Sequence, residues 1–426
     1  MRNCILHISL IYLLSVAMGG FCHATEAGEP EFLELVRYLS RGDGSMMPTD
    51  GNDIDIITSG QLKWELLEAD IESARHYIWM EYYRWREDDA GRRILNLIIR
   101  KLKEGVEVKI LLDDFGNALI HKEYYEELRR AGAQLQFYTD TDHQLWEMLP
   151  GINRRNHRKI VVIDGKVGYT GGMNLGTPNR DLWHDTHLRI QGPAVASMSR
   201  LFSAMWVKRM GPALKRKLAN RKTDVDTIIT TFSHMDTMTP TPGTFHGKTI
   251  QLAAGEGGDG FVEESICRIL QTAKHYVYIQ TPYFCPTEPV LQAMKDASLR
   301  GVDVSIMIPA KADVIVMDTA NSSFFKECFE AGISIFLTPG KFDHSKTIIC
   351  DNYLSVIGSM NLDYRSLRIN NEVFTTIIDP EIAMSLSNAF QLRSEGAKKI
   401  DAAELASMYK KKGLFMRFWR HNSQQL

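Results

Sequence analysis

NHRKIVVIDGKVGYTGGMN, residues 156–174, sets His157, Lys159 and Asp164 around the apolar run IVVI and closes on Gly171, Gly172 and Asn174. Taken alone it reads as a short buried strand, a turn and a second strand with polar ends. A second stretch, DHSKTIICDNYLSVIGSMN, residues 343–361, repeats it. His344, Lys346, Asp351, Gly358, Ser359 and Asn361 stand at the same offsets. Further on, Asp185 follows His157 at the interval at which Glu372 follows His344. Packing constrains which positions are apolar. It does not demand matched histidines, lysines and carboxylates in two places, so the stretches read as two halves of one site.

The repeat extends upstream. ARHYIWM (74–80) resembles AKHYVYI (273–279), KLKEGVEVKILLD (101–113) resembles DASLRGVDVSIMIP (296–309), and RRAGAQLQFY (129–138) resembles FEAGISIFLT (329–338). In the last two pairs a helix ends at a glycine and an apolar strand follows. Each half therefore reads strand–helix–strand–helix–strand, then two strands around a turn at Asp164–Lys166 or Asp351–Tyr353. This predicts an α/β fold in two copies, two mixed β-sheets each flanked by helices, packed about a pseudo-two-fold axis with the site between them. The first copy spans 50–210 and the second 249–400. Residues 211–248, with KRK, a Thr-rich run and TPTPG, form a connector. GEGGDG (255–260) matches a dinucleotide-binding glycine pattern. However, Glu256 and Asp259 would repel a pyrophosphate, and TSGQ (58–61) in the first copy lacks the pattern, so a plain strand-to-helix turn is expected.

The bulk properties fit an ordinary globular chain: 426 residues, 44% hydrophobic, 24% charged, net charge −2. That charge supplies no general field for nucleic acid, although Arg154, Arg155, Arg158 and Lys159 form a local basic patch. At the N-terminus Arg2, the apolar run from Ile5 to Met18 and a small-residue stretch ending at Ala24 form the pattern of an export signal over residues 1–24, with a membrane anchor as the alternative. Cys267, Cys285, Cys328 and Cys350 show no metal-binding spacing, and Cys350 reads as core packing. KKKGLFMRFWR (410–420), within a C-terminal segment 401–426, interleaves basic and aromatic residues. It suits either an anionic bilayer surface or packing onto the second copy.

On an extended strand residues two apart share a face, so each His presents with its Lys. If the copies meet, one pocket holds two His, two Lys, Asn174 and Asn361. This set suits a phosphate: the cations and amides neutralise non-bridging oxygens while the imidazoles supply nucleophile and acid. Ser359 accompanies Asn361 at the second glycine turn. Asp185 and Glu372 are expected to hydrogen-bond the histidines and fix their tautomers. Of the paired motif residues, Asp164 and Asp351 suit bracing of strand ends better than substrate contact.

Two H-x-K-x4-D motifs, each followed by Gly-Gly or Gly-Ser and Asn, resemble the phospholipase D superfamily. Within it, INRRNHRKIVVIDGKVGYTGGMN, WHDTHLRIQGPAV (183–195), QTPYFCPTEPVL (280–291) and GSMNLDYRSLRINNE (358–372) look like bacterial cardiolipin synthases. Many members carry two N-terminal membrane helices where this chain has one short apolar segment, and His184 stands where Arg is common. The resemblance implies a metal-free, cofactor-free double displacement. His157 would form a phosphohistidine and His344 would protonate the leaving alkoxide, with Lys159, Asp164, Lys346 and Asp351 completing the motifs. Substrates would be phospholipids such as phosphatidylglycerol, met at the exported face of a bacterial membrane, with no nucleic acid. The acceptor alcohol stays open. Hydrolysis of the same intermediate, as in a phospholipase D or a nuclease, is the alternative. A non-catalytic scaffold would be expected to have lost a His or a Lys.

Overall fold

A computed structural model of the protein describes residues 30–40, 47–138, 154–209 and 244–422. The N-terminal signal segment and most of the connector lie outside the described residues. In the first half, β1 (Thr49–Ile57) leads through helix Gly60–Ser73 to β2 (Tyr77–Tyr82). Helix Asp89–Lys103, β3 (Glu107–Asp113), helix Lys122–Ala131 and β4 (Gln134–Tyr138) follow. The hairpin β5 (Ile160–Ile163) and β6 (Val167–Gly171), then β7 (His187–Gln191) and helix Ala194–Arg209, complete it. The second half repeats this with β8 (Phe245–Gly255), β9 (Tyr276–Gln280), a short β10 (Phe284–Cys285), β11 (Asp303–Pro309), β12 (Ser334–Thr338), β13 (Thr347–Cys350), β14 (Leu354–Gly358), a short β15 (Leu362–Asp363) and β16 (Glu372–Ile378). After helix Pro380–Glu395 come β17 (Lys398–Lys399) and a terminal helix, Ala402–Asn422.

The strand orders are β1-β7-β6-β5-β2-β3-β4 and β8-β16-β14-β13-β9-β11-β12-β17, the same path walked twice. β2, β3 and β4 are parallel, as are β9, β11 and β12, because a helix returns the chain between them. The motif strands β5 and β13 lie inside these ladders and are covered on both faces, which accounts for the uninterrupted runs IVVI and TIIC.

The two expected sheets are joined. The equivalent edges β1 and β8 pair antiparallel, with register shifts along the seam, so a single 15-stranded ladder runs through the molecule. Antiparallel pairing of equivalent edges is what a two-fold relation demands. The ladder also folds back on itself: Trp79, Val162 and Ile190 of the first half share a core with Leu252, Ile357 and Val373 of the second. β8 begins at Phe245, so the second half starts slightly before residue 249 and the connector is correspondingly shorter.

The glycine-rich turn 255–260 joins β8 to helix Phe261–Thr272 as a plain connection. A side chain at Gly257 would place its Cβ 1.6 Å from the Ile369 carbonyl oxygen, so glycine is required by close approach to the 368–371 segment. Cys267, Cys285, Cys328 and Cys350 are free. Among the described residues no helix is long and apolar enough to cross a membrane. In the terminal helix Trp419 packs on the second-half core, and Arg420 bonds Glu327 and Glu288. Leu414, Phe415 and Phe418 of the same helix face outward.

Candidate active site

Two short bridges between the halves build the site. Asn156 pairs with Asn371, and the His157 N–H donates to the Asn371 carbonyl at 2.9 Å. His184 pairs with Asp343, and the His344 N–H donates to the His184 carbonyl at 2.6 Å. Each histidine is thereby laid beside the residue preceding the other half's carboxylate. The consequence is a crossed arrangement. His157 Nδ1 meets both oxygens of Glu372 at 3.0 Å, and His344 Nδ1 meets Asp185 Oδ2 at 2.6 Å. Asp185 and Glu372 therefore do contact the histidines, each across the interface from its own motif. With Nδ1 engaged, Nε2 is the nitrogen each ring has left for a substrate.

Both histidines line one cavity of about 320 Å³, which also receives Asn174 and Asn361. Asn174 Oδ1 accepts from the Arg84 N–H at 3.2 Å, leaving its amide NH2 for the cavity. Tyr83 and Trp183 set their rings 5.0 Å from His157 and His344 respectively. The lysines lie deeper. Lys159 Nζ donates to the His157 carbonyl at 2.7 Å, and Lys346 Nζ does the same to His344. His157, Lys159, His344 and Lys346 precede β5 and β13 rather than lie within them.

The floor sets two lysines and two carboxylates around the two rings. Burial is the main influence on the rings. It pulls His157 down to about 4 against the opposing charge of Glu372, and it lowers His344, aided by Lys346. Burial also lowers Lys159 to about 7 and Lys346 to about 8. Glu372 stays ionised below its ordinary range: burial opposes this, but His157, Lys159 and Ser359 outweigh it. A buried floor of lysines and carboxylates, with His157 held unprotonated, is suited to receive one phosphodiester anion and present it with a nucleophile.

Asp164, Asp351 and Ser359 serve the site from outside the cavity, the two aspartates as the braces their positions suggest. Asp164 accepts backbone N–H bonds from Arg75, His76 and Tyr77 at 2.7–2.8 Å, and Asp351 does so from Lys274, His275 and Tyr276 at 2.8–3.0 Å. Both residues adopt φ 52°, a left-handed turn that Asp tolerates, and both pin the starts of β2 and β9 outside the cavity. They are braces, not reacting groups. Ser359 is buried and donates to Glu372, so it supports that carboxylate rather than a substrate phosphate. Its counterpart Gly172 is needed because a Cβ there would lie 2.1 Å from Asp185 Oδ1.

The chain has been compared with known proteins. The family described as "Cardiolipin synthase, PLD-like domain" matches residues 67–206 and 266–393. The major cardiolipin synthase ClsA of Bacillus subtilis is 33% identical over 80% of this chain and 69% of its own length. A cardiolipin synthase of Oceanobacillus iheyensis is 34% identical over 92% of this chain and 79% of its own. The chain belongs to the cardiolipin synthase family of phospholipase D-like proteins. Among solved structures, phosphatidylserine synthase of Haemophilus influenzae shares the fold, with TM-score 0.65 and 15% identity over 88% of this chain and 95% of that one.

Several residues in and behind this family member's cavity are not evident from the motifs. Asn156 is held by Asp113 and Glu81. Lys63 is fully buried between the Trp64 and Tyr82 rings, and burial lowers it to about 7 against the pull of Asp185. Arg84, Arg86 and Tyr283 line the walls. A position-by-position comparison of the segments after β2 and β9 would have exposed the arginines. His184, where Arg is common, instead shares Asp343 with Arg393, which donates to Asp343 Oδ2 at 2.7 Å.

Proposed function

We propose that the protein transfers a phosphatidyl group from one phosphatidylglycerol to the head-group alcohol of a second phospholipid. His157 Nε2 attacks phosphorus, the bond from phosphorus to the glycerol oxygen breaks, and His344, entering the step as the imidazolium, gives that oxygen its Nε2 proton. Free glycerol leaves. His344 then takes the proton from the acceptor hydroxyl, whose oxygen attacks phosphorus and frees His157. Lys159, Lys346, Asn174 and Asn361 stabilise the charge on the non-bridging oxygens. The crossed His–carboxylate pairs in one cavity carry this reading, together with family membership.

The lipid is met at a membrane surface. Leu119 and Ile315 are 96% and 88% exposed at equivalent positions after β3 and β11, Ile315 opening a helix, and the exposed Phe115 and Val314 stand beside the cavity. Apolar residues flanking a lipid-binding mouth favour an interface over bulk water. The charged–apolar–small N-terminal segment supports placement at the exported face of a bacterial membrane. The overall charge of −2 favours lipid over nucleic acid as substrate.

Purified protein in detergent micelles with phosphatidylglycerol tests the reaction by mass spectrometry of the lipids. Cardiolipin with stoichiometric free glycerol is expected. Phosphatidic acid without cardiolipin would replace transfer by hydrolysis.

A further inference from the structure

The cavity floor is shared evenly between the halves, but its walls are not. β2 runs out into Tyr83-Arg84-Trp85-Arg86 and β9 into Pro282-Tyr283-Phe284-Cys285. The scaffolding of the two segments is the same. The Trp85 N–H donates to Asn117 Oδ1 at 2.8 Å, and the Phe284 N–H donates to Asn321 Oδ1 at 2.8 Å. Trp85 pairs with Leu175 and Phe284 with Leu362, both in parallel. Arg84 thus stands where the second half has Tyr283, and Arg86 where it has Cys285.

The neighbours differ to match. Gly176 lies against the Arg86 stem, and a Cβ there would fall 2.7 Å from Arg86 Cδ. The equivalent position beside Cys285 is Asp363. Arg84 Nε donates to the Gly116 carbonyl at 3.0 Å, which fixes its fork at the wall. Among the described residues neither arginine forms an ion pair within 4 Å, although many other surface arginines do. Burial, and after it repulsion from Arg84, lowers Arg86 from its ordinary range against the more distant pull of Asp88 and Asp313. Across the cavity stand Tyr283, whose hydroxyl donates to Asp313 at 2.6 Å, and Asp363. The first-half wall carries Arg84 and Arg86, whereas Asp313 and Asp363 stand on the second-half wall, Asp363 with Arg365 beside it.

We propose that Arg84 and Arg86 form a second phosphate subsite, which holds the phosphodiester of the acceptor phospholipid while the donor phosphate lies over the two histidines. This rests on the transferase reading above. An acceptor that is itself a phospholipid carries a phosphate next to its reacting hydroxyl. Two half-buried guanidinium groups with no carboxylate at ion-pair distance among the described residues match that phosphate in charge and in planar, forked geometry. The difference between the walls gives the acceptor a direction: its phosphate turns to the arginines and its hydroxyl to the histidines. A hydrolase has no need of such a subsite, because water carries no charge to hold.

The test sets an anionic acceptor against a neutral one. Full-length protein in micelles receives phosphatidylglycerol together with ethanol, and cardiolipin and phosphatidylethanol are quantified from the same reaction. Arg84→Gln and Arg86→Gln should each lower the cardiolipin-to-phosphatidylethanol ratio by roughly tenfold or more, the loss of one charge-assisted bond. Arg86→Lys should recover part of it. The summed products report how much folded, working enzyme remains, so the ratio is independent of yield. An unchanged ratio, with both products falling together, overturns the subsite and leaves the transferase reading intact. Wild-type protein that makes phosphatidylethanol but no cardiolipin overturns that reading and the subsite with it.

Discussion

The two halves use one strand order to supply different things. Both give a His, a Lys, an Asn and a carboxylate, and both brace a strand start with an Asp at φ 52°. They then diverge in the surroundings. Asp185 closes on a glycine, whereas the longer Glu372 is gripped by Ser359. Lys63 backs the Asp185 side, and Val262 stands at the corresponding place in the second half. The first half lines the cavity with Arg84, Arg86 and Arg155, the second with Tyr283, Asp313, Asp363 and a single arginine, Arg365. Duplication fixes the groups that a phosphodiester requires from both sides, and the differences between copies give the two histidines different work.

The sharpest way to break this symmetry is to remove each histidine. His157→Ala and His344→Ala should each reduce turnover on phosphatidylglycerol by about 10⁴-fold or more, measured as glycerol release. Near-wild-type activity in either variant would rule out a shared site. The crossed pairing predicts the next largest effect. Glu372→Gln and Asp185→Asn remove the partners that fix the Nδ1 tautomers and should lower kcat by about 10²- to 10⁴-fold. Because Glu372 serves His157, its variant should slow formation of the covalent intermediate in single-turnover experiments. Slowing of leaving-group protonation alone would place it with His344 instead.

A pH profile sharpens the electrostatic side. The proposed mechanism needs both lysines charged when phosphate binds, and burial has lowered them to about 7 and about 8. Charge is therefore lost from the empty site as pH rises through that range. kcat/KM should fall there by up to about tenfold per pH unit. kcat should fall less, because a bound anion raises both values. A flat kcat/KM between pH 7 and 9 would contradict charged lysines as the binding element. The smallest effect on chemistry is expected at the braces. Asp164→Asn and Asp351→Asn keep the left-handed turn but weaken three charge-assisted backbone bonds. Each should cost about 2–4 kcal/mol in denaturant unfolding while the folded fraction keeps its kcat. A selective loss of kcat would return these residues to the reacting set.

Much of this was legible in the sequence because the motif is repeated. Residue identity conserved at two sets of equal offsets marks function, and alternating strands and helices mark the layers. Three things were not legible. The joining of the sheets depends on the edges β1 and β8, whose pairing is a long-range event with no local signature. The crossing of the carboxylates depends on the inter-half bridges at Asn371 and His184, while sequence spacing ties each carboxylate only to its own motif. Arg84 and Arg86 escaped because they follow a strand in an ordinary charged, aromatic stretch. Their meaning comes from the cavity they face and from the Tyr283 and Cys285 that replace them in the other copy. Ser359, two residues before the Asn361 that lines the cavity, has a supporting role whose partner the sequence does not name. Its hydroxyl turns inward to Glu372, a direction that sequence does not encode.

The division of labour between the histidines is tested most directly with a donor whose leaving group needs no proton, a phosphatidyl ester of p-nitrophenol. In His344→Ala, mixing should give a burst of nitrophenol stoichiometric with enzyme, and peptide mass spectrometry should find the phosphatidyl group on His157. No burst in His344→Ala, or a phosphatidyl adduct on His344 of the wild-type protein, would contradict the assignment of His157 as the nucleophile.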